Sequence, residues 1–176
     1  MRRQWNADRP APAELIGVVD RLASLPVHLA SRLADWLEGL WVGPGNVPDL
    51  DGLGFLRGQR VRPEAATLWD DVPGAVVGRT MVVGTGAHVS VSLVDHELGH
   101  CFEQMDDLAS TPDWQAIMWR CRPLVVHPRY QDLHEWWAEA YAHVATGELR
   151  RLTRALSGNA EAMEMCWAYY KRQLGL

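Results

Sequence analysis

The sequence predicts an α+β fold: a small twisted β-sheet packed on a helix that carries His96-Glu97-Leu98-Gly99-His100, with a helical C-terminal half after it. Three observations predict it. In the first half, short apolar runs are bounded by glycine, proline and aspartate, as strands closed by turns require. From Val94 onward, apolar residues recur at spacings of three and four, as amphipathic helices require. Between these halves stands H-E-x-x-H, in which each fixed letter has a chemical use.

The elements follow in order. Residues 1–12 suggest a loose arm, so 1–19 are assigned to a flexible arm and the start of the first helix. Residues 20–176 are assigned to one domain, long enough to bury a proper core. Pro12-Ala13-Glu14 opens a helix to about Ser24, with Leu15, Val18, Val19 and Leu22 on one face, and Pro26 breaks it. A second helix runs from about His28 to Glu38, with Leu29, Leu33 and Leu37 spaced by four. Leu40-Trp41-Val42 fits a buried strand stopped by Gly43-Pro44-Gly45-Asn46. Residues 43–66 form an ordered loop anchored by Leu50, Leu53, Phe55 and Leu56, too apolar to float free. Ala75–Val77 and Thr80–Val83, joined by Gly78-Arg79, form a tight hairpin.

Gly84-Thr85-Gly86 leads into the motif helix, which Ser90 or Ser92 can cap. Val94, Leu98, Cys101 and Met105 form its buried stripe, and that stripe avoids His96, Glu97 and His100. The helix ends at Asp106-Asp107. Thr111-Pro112 starts another that runs to about Cys121, proline being well placed at a first helical position. Arg122–Arg129 contains two prolines and is a loop. A helix from Gln131 to Val144 aligns Leu133, Trp137, Ala140 and Val144. Leu149–Leu156 forms a short helix, Ser157-Gly158-Asn159 a break, and Met163, Cys166, Trp167, Tyr170 and Leu174 mark a last amphipathic helix.

Composition narrows the function classes. A formal charge of -5 and a pI near 5.8 give no support for nucleic-acid binding through phosphate neutralisation. No run of about 18 apolar residues occurs, so no membrane span is expected. The start has a signal peptide's charge but no apolar run behind it. Three widely spaced cysteines do not make a disulfide framework. The expectation is a cytoplasmic protein, with leaderless export left open.

The motif carries the chemistry. Residues four apart lie on one helix face, so His96 and His100 can offer two imidazoles to one ion, while Glu97 reaches a water on it. Zn2+ suits neutral imidazole, and a catalytic zinc site needs a third protein ligand plus an open position. Two residues compete for the third place. Asp106, six after His100, follows a pattern that relies on a glycine turning the chain back, and the turning position here is Glu103. Glu135 lies on a second helix, with Glu139 one turn on along the same face; the first can ligate and the second can hold a ligating histidine through its free N–H.

His96-Glu97-Leu98-Gly99-His100 followed by Glu135-Trp136-Trp137-Ala138-Glu139-Ala140-Tyr141-Ala142 resembles the signature of the lethal-factor-like gluzincin metallopeptidases. That family includes the anthrax lethal factor catalytic domain and the Pro-Pro endopeptidases. The resemblance covers about residue 20 to the C-terminus and is specific from Val89 to His143. It implies His96, His100 and Glu135 as zinc ligands, Glu97 as general base, and Glu139 as the support of a ligand. The family places an oxyanion-stabilising tyrosine seven residues before the ligand glutamate, where this chain has Pro128. Tyr130, in the same loop, is the candidate substitute, with His127 and His134 as alternative donors. The implied activity is zinc-dependent hydrolysis of peptide bonds, with an extended peptide or protein substrate pairing along Thr80–Val83 as an edge strand. A regulatory protease that cleaves a repressor and a non-catalytic zinc-binding interaction module stay open as alternatives.

Overall fold

A computed structural model describes residues 1–5, 8 and 10–176, and the chain forms two units, Met1–Val89 and Ser90–Leu176. In the first, proline placement sets the helix starts. Pro12 precedes α1 (Ala13–Ala23) and Pro26 precedes α2 (Val27–Trp36), each in an extended conformation that a helix interior does not tolerate. Leu15, Leu29 and Leu33 are their buried faces.

The sheet of this unit comprises β1 (Arg2–Arg3), β2 (Gly39–Val42), β3 (Gly74–Val77) and β4 (Thr80–Val83), in the order β1-β2-β4-β3. The expected hairpin is present: β3 and β4 are antiparallel, and Gly78 turns between them at φ 58°, a conformation that favours glycine. β2 pairs with β4 in parallel. Thr80–Val83 is therefore an interior strand with partners on both sides, not the free edge that the sequence suggests. Its residues Met81, Val82 and Val83 are all buried, as a central strand's continuous apolar run requires. Arg2–Arg3 pair in parallel with Trp41–Val42 instead of belonging to a loose arm. That pairing is made by backbone groups, which leave no pattern in the side chains. The arm expectation also falls on Asn6, Ala7 and Arg9, which lie outside the described residues.

The loop after β2 is ordered, with single 3-10 turns at Val47–Asp49, Gly54–Leu56 and Trp69–Asp71. Val47, Leu50, Val72 and Val82 make its core, with Leu53 and Leu56 packed against it. Phe55 is not an anchor; it is 67% exposed.

The second unit is helical: α3 (Leu93–Asp106), α4 (Pro112–Cys121), α5 (Leu133–Ala145), α6 (Leu149–Ala155) and α7 (Ala160–Leu174). Ser92, Thr111, Asp132 and Asn159 cap α3, α4, α5 and α7, each side chain accepting an N–H of the first turn. Asp107 ends α3 in the left-handed region at φ 50°. An aromatic core joins the helices: Trp114, Trp137, Tyr141, Tyr169 and Tyr170 are buried, with Trp137 stacked on Tyr141 at 6.0 Å. The Tyr170 hydroxyl donates to the Trp137 carbonyl at 2.6 Å, so its polar end is satisfied inside the core. Among the described residues no helix is long and apolar enough to cross a membrane.

Candidate metal centre

The centre is built where α3 meets α5. Gly99 permits that meeting: a Cβ there would lie 2.7 Å from the Ala138 Cα and 2.9 Å from its carbonyl oxygen. Ala138 stands between Glu135 and Glu139 on α5, so the close approach sets both carboxylates against the His96 and His100 face of α3. α5 covers that face. His96 and Glu97 are consequently as buried as the apolar stripe, at 3% and 2% exposure, and the expected separation of core face from metal face does not hold.

Glu139 fixes His96. Its Oε2 accepts from His96 Nδ1 at 3.0 Å, and its Oε1 accepts from the Val91 N–H at 3.0 Å and faces His143 Nε2 at 3.4 Å. With Nδ1 held by Glu139, Nε2 is the ring nitrogen turned to the centre, and its lone pair is the one a metal would take in place of a proton. That atom lies 3.2 Å from His100 Nε2 and 3.5 Å from Glu135 Oε2. The candidate ligand atoms of His96, His100 and Glu135 all fall within 4.8 Å of one another, the one such group among the described residues. Ligands arranged tetrahedrally around zinc at their usual arms stand about 3.3 Å apart, so the 3.2 and 3.5 Å spacings from His96 Nε2 suit such an ion.

The electrostatics favour a positive charge here. Burial pushes His96 down, but the carboxylates of Glu135 and Glu139 outweigh it and raise His96 to about 9, so without an ion its Nε2 carries a proton toward Glu135 that a bound metal would displace. Burial, then the charge on His96, depress His100 to about 3, which keeps it the neutral imidazole a metal needs. Burial raises Glu135, but His96 and Arg129 together hold it well below the usual carboxylate range. Burial pushes Glu97 up to about 7 although His96 pulls the other way. Its Oε2 is buried with no hydrogen-bond partner among the described residues, a costly arrangement for a carboxylate oxygen that only serves structure.

Tyr130 is buried, its ring 6.1 Å from that of His96 and 5.3 Å from that of His127. Burial and then the charge of Glu139 raise its hydroxyl far above the tyrosine range, so it stays a neutral phenol. His127 caps the 3-10 turn Pro128–Gln131 by accepting the Arg129 N–H at 3.3 Å, and His134 pairs with Glu103 at 3.1 Å. Asp106 sits exposed at the end of α3, outside the cluster.

Sequence reasoning missed two participants. His143 stands four residues after Glu139, so its place on the same face was legible. Arg129, whose Nε donates to Glu135 Oε2 at 2.8 Å, lies in a loop with no periodicity to reveal it.

No family model and no curated protein sequence matches the chain. Among solved structures it is similar to the Pro-Pro endopeptidase PPEP-2 from Paenibacillus alvei. The TM-score is 0.73 at 18% sequence identity, over 97% of this chain and 96% of that one. The likeness shows a common fold.

Proposed function

We propose that this chain is a zinc-dependent metallopeptidase of the gluzincin kind, in which His96, His100 and Glu135 hold the ion and Glu97 is the general base. The observation that carries the reading is the convergence of two imidazoles and one carboxylate, whose ligand atoms lie within 4.8 Å of one another, with the buried Glu97 next to His96 in sequence. The fold shared with a Pro-Pro endopeptidase supports it. When bound, zinc would polarise the scissile carbonyl and make its water a nucleophile near neutral pH.

The chain's own residues do the rest. Glu97, next to His96 in sequence and buried with it, is the carboxylate placed to take the water's proton and later hand it to the leaving amine. Glu139 holds the His96 ring so that Nε2 faces the centre. Burial of His96 and Glu97 keeps solvent from screening these charges. Tyr130, the loop candidate for an oxyanion donor, is a buried phenol whose ring lies 6.1 Å from that of His96.

The test is digestion of a peptide library by the wild-type chain, by the same protein with chelator, and by E97Q. Cleavage that chelator abolishes and zinc restores, and that E97Q lacks while still binding zinc, supports the reading. Cleavage that survives chelation overturns the metal role. Absence of cleavage by zinc-loaded wild type overturns the peptidase and leaves a zinc-binding module.

A further inference from the structure

We propose that Arg129 is a positioning residue for Glu135: a guanidinium clamp that holds the carboxylate of the third ligand at the angle a metal ion needs. The proposal rests on the metallopeptidase reading and goes beyond its ligand set. Arg129 Nε donates to Glu135 Oε2 at 2.8 Å, and its Nη2 reaches Oε1 at 3.5 Å. Both oxygens of one carboxylate thus face one planar fork, the geometry that makes arginine hard to replace by lysine.

The clamp is itself held in place. Arg129 lies on the short turn Pro128–Gln131, where proline fixes the entry and the His127 side chain accepts the Arg129 N–H. The next residue, Tyr130, is buried and anchors the turn. Glu135 receives its second restraint from Asp132, which accepts the Glu135 N–H at 3.1 Å and starts α5 there. Glu135 stands in the first turn of the helix, with its side chain 16% exposed. Without the fork it could rotate toward solvent, since no other described donor faces both oxygens.

Two effects of opposite sign meet at this site. A cation beside a metal repels it, so removing Arg129 would raise zinc affinity through charge; loss of orientation would lower it. The Arg129 side chain is 47% exposed and its charge is already opposed by Glu135, so solvent and salt screen the repulsion. Orientation therefore dominates.

Arg129→Lys separates the two because it keeps the charge and loses the fork. Zinc affinity is measured on the full chain by competition with a chromophoric chelator in about 0.5 M salt, where little charge effect survives. Cobalt(II) visible absorption then reports coordination. R129K and R129A should each lose about tenfold or more in zinc affinity, as losses of ligand-orienting groups run. Their cobalt spectra should move toward that of E135A, a shift that mere destabilisation of the fold does not produce. R151A, which removes an exposed arginine paired with Glu148, should match wild type. Wild-type affinity and spectrum in R129K, or tighter zinc binding by R129A, overturns the clamp while E135A still loses zinc. If E135A itself binds zinc like wild type, Glu135 is no ligand, and the metallopeptidase reading falls together with the clamp.

Discussion

Replacing Gly99 by alanine tests whether the approach of α3 to α5 builds the centre. The added Cβ would sit 2.7 Å from the Ala138 Cα, at least about 0.7 Å short of ordinary contact, which begins at 3.4 Å. The atoms it meets are backbone, so no side-chain end can swing away. If the helices separate by that amount, the 3.0 Å bond from His96 Nδ1 to Glu139 Oε2 stretches past hydrogen-bond reach, and the 3.5 Å gap from His96 Nε2 to Glu135 widens further. Overpacking of a core typically costs about 1–3 kcal/mol. Alanine returns about 1 kcal/mol through its better helix propensity. G99A should therefore be destabilised by about 0–2 kcal/mol, and its zinc affinity should fall about ten- to a hundredfold as His96 loses its orienting partner. Urea unfolding of the chelated protein measures the first effect and chelator competition the second. A stability gain of about 1 kcal/mol, the full propensity benefit, with unchanged zinc affinity would refute the role of the close approach.

Further outcomes are expected. E97Q should bind zinc normally while turnover falls about a hundredfold or more, the contribution general-base catalysis can make; near-normal cleavage rejects Glu97 as the base. E135A should lose zinc severely, E139A about ten- to a hundredfold, and D106A hardly at all, measured at one chelator concentration; loss with D106A and retention with E135A would reassign the third ligand. Glu97 also predicts a pH dependence. Its pKa in the folded chain, about 7, lies above the unfolded carboxylate's, so its contribution to stability is full below about pH 4.5 and is lost as pH rises through 7. Chelated wild type should thus lose stability relative to chelated E97Q across that window in denaturant titrations, and parallel curves would contradict the burial of a titrating Glu97. Y130F should perturb zinc affinity more than it perturbs turnover of the loaded protein if the phenol serves Glu139; the reverse ranking would mark it as the oxyanion donor.

The sequence by itself determined what depends on near neighbours along the chain. Helix starts were legible at Pro12, at Ser90 or Ser92 and at Thr111-Pro112 because caps and prolines act within one turn. The β3–β4 hairpin was legible because Gly78-Arg79 joins its arms directly. The facing of His96 with His100, and of Glu135 with Glu139, followed from the helical period alone. Tertiary structure decided what depends on groups distant in sequence. Thr80–Val83 became an interior strand through parallel pairing with Gly39–Val42, and Arg2–Arg3 became a strand through backbone bonds that no side-chain pattern encodes. His96 and Glu97 are buried because α5 lies over them, and Arg129 meets Glu135 because a loop turn carries it there. A periodic pattern says which residues share a face, but only the packing of one element on another says what that face meets.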